Sequence, residues 1–291
     1  MNGTCVNICF ICNGGYAIPT LVAIASLKYN RNKENLYSLY IILDSTSEKW
    51  KKYFLDYEEE KFKINIISVG NYEANKSKNI PTYNGDSPSA LLKFDIPDLL
   101  PEINKVLYLD GDIIIQKDLK ALFNIDLEDK MVGAVIDSGT FYYHHTVSNQ
   151  IKDYFNSGVI LFDLKKAREE NLTKILYETE SRLENKYLLD QNVFNIVLEN
   201  KVKLLSIKYN FLHTNLIRAQ GKFTIEEINS RYSENYQSLN ELKEDAFVIH
   251  YASKDKPWLN AENVGSVKWF FYLAQSTIYD SLTDSLSKCR F

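Results

Sequence analysis

Two aspartates separated by one glycine, Asp110-Gly111-Asp112, end the apolar run Lys105-Val106-Leu107-Tyr108-Leu109 and precede a second, Ile113-Ile114-Ile115. On an extended backbone residues i and i+2 point to the same side, so Asp110 and Asp112 converge on one point. Gly111 has no side chain and lets a ligand approach the backbone closely. Two hard oxygen donors leaving a buried strand suit Mg or Mn, the metals that bridge diphosphate oxygens. Asp-Gly also favours tight turns, so an acidic turn explains the tripeptide alone equally well. A second cluster, His250-Tyr251-Ala252-Ser253-Lys254-Asp255-Lys256-Pro257-Trp258, follows the apolar run 246–249. Its histidine offers a borderline nitrogen ligand to Mn, and Lys256 a point positive charge to a phosphate. Pro257 and Trp258 would fix the direction of the loop. Taken alone, this pattern is weak, and a surface loop explains it.

Elements that would position these groups recur along the chain. Apolar, β-prone runs at 6–12, 37–43, 63–69, 105–109 and 131–136 alternate with helical patterns near 18–30, 47–57 and 87–100. Such alternation predicts an α/β fold, a mostly parallel central sheet flanked by helices. Ligands of these sheets sit beyond the carboxyl ends of the strands, where the Asn13–Tyr16 loop and the aspartate pair both fall. Past Gly139 the pattern loosens into an aromatic loop, Phe141-Tyr142-Tyr143-His144-His145, which reads as an ordinary exposed loop, with a lid or lip for an acceptor as the alternative. A strand at 154–163, helices at 164–186 and 190–200, a strand at 246–252 and a terminal amphipathic helix at 264–286 follow. The simplest division is a catalytic domain at 1–260 and a C-terminal helical extension at 261–291 that meets an acceptor or partner.

The chain has 291 residues, 45% apolar and 25% charged, with a net charge of −4, and so lacks the basic field that holds a nucleic acid. Residues 1–27 carry no charged side chain, but Asn13-Gly14-Gly15 and Pro19 interrupt their apolar stretch. A strand, a glycine turn and a helix with Pro19 in its first turn explain them better than a signal peptide or membrane span. The chain is therefore expected to be cytoplasmic, with no transmembrane segment and with peripheral membrane contact left open. The glycosylation sequons at Asn2, Asn75 and Asn171 then carry no meaning. Cys5, Cys9, Cys12 and Cys289 form no disulfide framework, and Cys9-Phe10-Ile11-Cys12 reads as buried strand residues on opposite faces. His213 reads as structural.

Taken together, these segments resemble the family 8 retaining glycosyltransferases, which have the GT-A fold. The match runs through the N-terminal strand-loop-helix with Tyr16, Tyr108-Leu109-Asp110-Gly111-Asp112, Tyr154-Phe155-Asn156-Ser157-Gly158-Val159, Leu189-Asp190-Gln191 and His250 to Trp258. The resemblance implies that Asp110, Asp112 and His250 bind Mn (Mg being the alternative), held also by the diphosphate of a UDP-sugar. It implies that Lys256 contacts that diphosphate and that Tyr16 lies beside the uracil ring. It also implies that Asn156, Asp190 and Gln191 line the sugar pocket, with Asp137 near the donor sugar. A helix cap for Asp190, a polar turn for Asn156 and a surface position for Asp137 are the structural alternatives. Three positions depart from the family pattern: Asn13 stands for an aspartate that reads uracil, Lys93 for an arginine that contacts the donor, and Ser253 for a glycine.

The activity this implies is transfer of glucose or galactose from UDP-glucose or UDP-galactose, with retention, to a hydroxyl of a growing glycan, glycolipid or glycosylated protein. A neutral amide at Gln191 is a poor nucleophile, which favours front-face attack by the acceptor through an oxocarbenium-like ion pair. Double displacement by a carboxylate such as Asp190 is the competing mechanism. A sugar-nucleotide-binding subunit without turnover is the alternative function. A nucleotidyltransferase would need a basic, glycine-rich phosphate loop, and Asn13-Gly14-Gly15-Tyr16 carries no lysine or arginine.

Overall fold

The computed structural model describes residues 4–70, 88–141, 150–183, 189–213, 224–263 and 265–288. Ten strands form within them: β1 (Val6–Cys12), β2 (Tyr37–Asp44), β3 (Phe62–Gly70), β4 (Lys105–Leu109), β5 (Ile113–Ile115), β6 (Val132–Ile136), β7 (Phe155–Asp163), β8 (Val202–Leu204), β9 (Phe211–Leu212) and β10 (Val248–His250). Seven of them make one sheet in the order β3-β2-β1-β4-β7-β6-β8. Its pairs are parallel except for the two that β7 makes with β4 and β6. One reversed strand in an otherwise parallel sheet has a useful consequence. The first residues of β7 run past the end of β4, with Val159 opposite Leu109 and the Gly158 carbonyl accepting from the Asp110 N–H.

The central strands read as continuous apolar runs because both faces are covered. Cys9 faces one apolar cluster with Tyr108, Phe94 and Phe194, whereas Cys12 faces the other with Phe10, Leu21 and Leu109. Opposite facing of residues three apart is the strand geometry expected for the Cys9–Cys12 run. Burial pushes the Cys12 thiol up to about 12, which disfavours its thiolate.

Five helices matter below: α1 (Ala17–Asn30), α2 (Leu172–Arg182), α3 (Leu189–Leu198), α4 (Ser266–Leu273) and α5 (Tyr279–Lys288). Several helical stretches are more broken than their periodicity predicts. The expected helix at 164–186 splits at Asn171, whose φ of 55 is left-handed, before α2. The expected helix at 87–100 is a 3-10 segment, Pro88–Asp95, followed by the single turn Ile96–Leu99 with Pro97 near its start. The expected terminal helix is two, α4 and α5. Trp269 and Tyr272 of α4, and Ile278 just before α5, belong to the same apolar cluster as α1. The expected strand at 246–252 is only β10, and it joins β5 and β9 in a separate three-stranded sheet.

Candidate active site

The small sheet explains how residues so distant in sequence meet. β4 ends at Leu109 and the chain turns through Asp110-Gly111-Asp112 into β5. β5 pairs antiparallel with β10 in a register that sets His250 opposite Ile113. The Tyr251 N–H then donates to the Asp112 carbonyl at 3.0 Å. His250 Nε2 consequently lies 3.3 Å from Asp112 Oδ1 and 3.8 Å from Asp110 Oδ2. One ligand atom from each of Asp110, Asp112 and His250 falls within 4.8 Å of the others. Asp112 and His250 are buried, while Asp110 is partly open. Two carboxylates and one imidazole form a donor set that suits Mn, and the spacing leaves a divalent cation in reach of all three.

Two glycines make this convergence possible. A Cβ on Gly158 would come within 2.7 Å of Asp110 Oδ2 and 2.9 Å of His250 Nδ1. A Cβ on Gly111 would overlap Thr20 Oγ1 on α1. The absent side chain at 111 thus also serves packing against the first helix.

Two lysines supply the positive charge. Lys256 Nζ lies 2.5 Å from Asp112 Oδ2 and donates to the Tyr251 carbonyl at 2.7 Å. Burial pushes the Asp112 carboxyl up, but Lys256 and His250 outweigh it and hold it well below the usual carboxylate range. Lys93, fully enclosed, reaches Asp190 Oδ2 at 2.7 Å and Asp110 Oδ1 at 3.1 Å, above the Tyr108 ring. Burial alone would lower its ammonium, yet Asp110 and Asp190 raise it more strongly. Lys93 therefore joins a metal-ligand candidate to a sugar-pocket candidate.

Beyond them lies a lattice of amides and one carboxylate. Asn156 Nδ2 donates to Gln191 Oε1 at 3.0 Å and to Asp137 Oδ2 at 3.2 Å. Gln191 Nε2 donates to the same Asp137 oxygen at 2.8 Å, and Gln191 Oε1 also accepts from the Ser157 N–H at 3.1 Å. Asp137 Oδ1 accepts from the Gly139 N–H at 2.6 Å. Asp190 opens the first turn of α3 and accepts from Ser157 Oγ at 2.9 Å as well as from Lys93. Asn156, Gln191 and Asp137 are all buried, which sets aside a polar turn and a surface carboxylate. Asn195 fixes the lattice from behind: its amide accepts from the Phe155 N–H and donates to the Phe155 carbonyl, at 2.7 and 2.8 Å.

At the start of α1, Asn13 Oδ1 accepts from the N–H groups of Gly15 and Tyr16 at 3.0 Å each. The amide oxygen expected to help read a base is therefore engaged with the backbone. The Tyr16 ring stands edge-on to Trp258 at 6.1 Å, and Lys256 Nζ lies 5.9 Å from both rings. Trp258 in turn packs on Trp269 of α4. Asn13, Tyr16, Lys256 and the three metal-ligand candidates thus line one end of the sheet, and the amide lattice adjoins them. His144 and His145 lie outside the described residues. Asn210, which sequence reasoning passed over, holds His250 Nδ1 at 3.0 Å, and no spacing or motif marks it. Among the described residues, no helix is long and apolar enough to cross a membrane.

The family model for glycosyl transferase family 8 matches residues 7–262. The chain is 30% identical over 264 residues to glycosyltransferase GlyA of Streptococcus pneumoniae, which covers 89% of this chain and 34% of that protein. The chain thus spans about a third of that relative's length. It is 26% identical over 274 residues to a lipopolysaccharide 1,2-glucosyltransferase of Escherichia coli, covering 91% of this chain and 76% of that one. Among solved structures, the galactosyltransferase LgtC with donor and acceptor sugar analogs superposes with a TM-score of 0.76 at 23% identity, covering 94% of this chain and 96% of that chain. The bifunctional glycosyltransferase WbbM gives 0.79 at 19% identity, covering 98% and 52%. These likenesses establish the GT-A fold, as the sequence resemblance predicts. With a family model matched over most of its length, the chain belongs to glycosyl transferase family 8.

Proposed function

We propose that the protein moves glucose or galactose from a UDP-sugar to a hydroxyl of a growing glycan, glycolipid or glycosylated protein, with retention at the anomeric carbon. The observation that carries this reading is the convergence of Asp110, Asp112 and His250 from three places in the chain. A divalent cation held by them, Mn by preference, would neutralise the charge that builds on departing UDP. Lys256 adds a half-buried ammonium at the same point and turns from Asp112 to the diphosphate when donor binds. Tyr16 offers its ring to uracil. Asn156, Asp190, Gln191 and Asp137 face the sugar, where carboxylate and amide oxygens accept from hydroxyls.

Two features favour front-face attack over double displacement. The Gln191 amide is bonded at both ends and neutral, and Asp190 shares its charge with Lys93. Neither makes a strong nucleophile. The acceptor hydroxyl then enters on the face that UDP leaves and gives its proton to a UDP phosphate oxygen. Residues 1–260 carry this chemistry, and the helices of 261–291 meet the acceptor or a partner.

The test is UDP release from a panel of UDP-sugars, with Mn, without it and with EDTA. Release from one sugar, abolished by EDTA and by Asp112→Ala, supports the enzyme. Tight UDP binding without release, even with candidate acceptors added, replaces it with a non-catalytic binding subunit.

A further inference from the structure

We propose that Asn210 is a positioning residue that orients His250 for the cation and ties that ligand to the sugar pocket. The inference rests on the reading of Asp110, Asp112 and His250 as a divalent-cation site. Its starting point is a backbone group that has no freedom to flip. The Gly158 N–H donates to Asn156 Oδ1 at 3.0 Å, which fixes which end of the Asn156 amide is oxygen. That same oxygen faces Asn210 at 2.9 Å, so Asn210 must present its NH2 group there. Its carbonyl oxygen is thereby turned to His250 Nδ1 at 3.0 Å. An oxygen that only accepts calls for a proton on Nδ1. Nε2 is then the ring nitrogen left with its lone pair toward Asp110 and Asp112. A histidine ligand whose other nitrogen donates to a fixed acceptor is set in tautomer and in ring orientation.

The orientation logic also runs the other way. The Ser157 N–H fixes Gln191 Oε1 as Gly158 fixes Asn156 Oδ1, and Asn156 Nδ2 donates to that Gln191 oxygen. Two neighbouring peptide N–H groups of β7 thus orient an unbroken series, Gln191, Asn156, Asn210 and His250. Asn210 is 1% exposed, so water does not substitute for either of its bonds. It leaves the 3-10 turn Ile207–Tyr209 directly before β9, whose pairing with β10 sets Leu212 opposite His250. An asparagine is needed here for both ends of its amide. Aspartate would keep the acceptor for His250 but has no hydrogen to give Asn156.

Calorimetric Mn titration of the donor-free protein, alongside Asn210→Ala, Asn210→Asp and Asp112→Ala, separates the possibilities. Loss of a ligand's outer partner costs about 10–100-fold in metal affinity, and N210A is expected in that range. N210D is expected to hold Mn within about threefold of the parent but to bind UDP-sugar at least about tenfold more weakly, because its second carboxylate oxygen repels Asn156 Oδ1. Nitrogen-15 spectra of His250 should show the Nδ1–H tautomer in the parent and a mixture in N210A. A parent protein that takes up no Mn removes the cation site and this role with it. Mn binding by the parent and by N210A with equal affinity leaves the site standing and overturns the role of Asn210. Should N210A fail to fold, N210D decides: Mn loss as deep as in D112A refutes the positioning.

Discussion

Replacing Gly158 by alanine is the sharpest single perturbation of the site, because one methyl group meets two candidate ligands at once. The new Cβ would stand 2.7 Å from Asp110 Oδ2 and 2.9 Å from His250 Nδ1, with His250 Cε1 closer still. Ordinary contact begins at 3.4 Å, so the carboxylate must retreat by about 0.7 Å and the ring, through its nearer Cε1, by about 1.2 Å. The backbone has little room to absorb this. Asp110 N–H donates to the Gly158 carbonyl at 2.8 Å, and the β4–β7 ladder continues directly from there. His250 is held by its pairing with Ile113 and by Asn210. The displacement therefore falls on the side chains that would bind metal. Misplacement on this scale costs about 100-fold in rate, and we expect a comparable fall in Mn affinity. Overpacking costs about 1–3 kcal/mol, partly offset by about 0.4–1 kcal/mol from a stiffer unfolded chain. For a chain of this size the melting temperature then falls by at most about 10 °C. Mn titration, UDP release and thermal melting on one preparation read all three quantities. A G158A protein that binds Mn and releases UDP within threefold of the parent would show that His250 and Asp110 do not meet over this glycine.

Other substitutions address the charges and the buried histidine. Lys256→Ala strips a buried carboxylate of its partner and should destabilise the metal-free protein by about 3–5 kcal/mol. Saturating Mn should raise the melting temperature of K256A by more than that of the parent, and an equal rise would mean that Lys256 and the cation do not share Asp112. Lys93→Met keeps an apolar stem over Tyr108 but leaves Asp110 and Asp190 without their common cation. It should lose stability and donor affinity together, with stability restored in Lys93→Arg; a K93M protein as stable as the parent rejects the ion pair. His213 is 1% exposed between Phe211 and Tyr251, neither ring nitrogen has a hydrogen-bond partner among the described residues, and burial pushes its imidazole down to about 4. A folded-state value below the unfolded 6.5 means that the neutral ring contributes stability above about pH 6.5, lost as pH falls toward 4. The loss amounts to about 3 kcal/mol, and His213→Phe should abolish it and flatten denaturant midpoints between pH 7 and 4.5. Parallel pH profiles for parent and H213F would exclude His213 as the source.

What could be read from the chain and what could not divide along physical lines. The strands at 6–12, 37–43 and 105–109 are long, apolar and bounded, and burial on both faces of a parallel sheet writes that pattern directly. Asp110, Asp112 and His250 were legible because their side-chain chemistry is distinctive and each follows an apolar run. β5, β9 and β10 were not, or only in part: each is two or three residues long, too short for any period to show. Yet the register of that small sheet brings His250 to the aspartates, with Ile113 as its partner. Helix limits failed where local geometry overrode periodicity, at the left-handed Asn171 and at Pro97. Asn210 marks a different boundary. An asparagine at the end of a turn is unremarkable in sequence, and only the fixed directions of the Ser157 and Gly158 N–H groups give its two amide ends separate duties. Residue type announces which groups can do chemistry. The hydrogen-bond directions that decide which atom faces the reaction arise from pairing between residues 34 to 54 positions apart, and a sequence scan along the chain does not cross that distance.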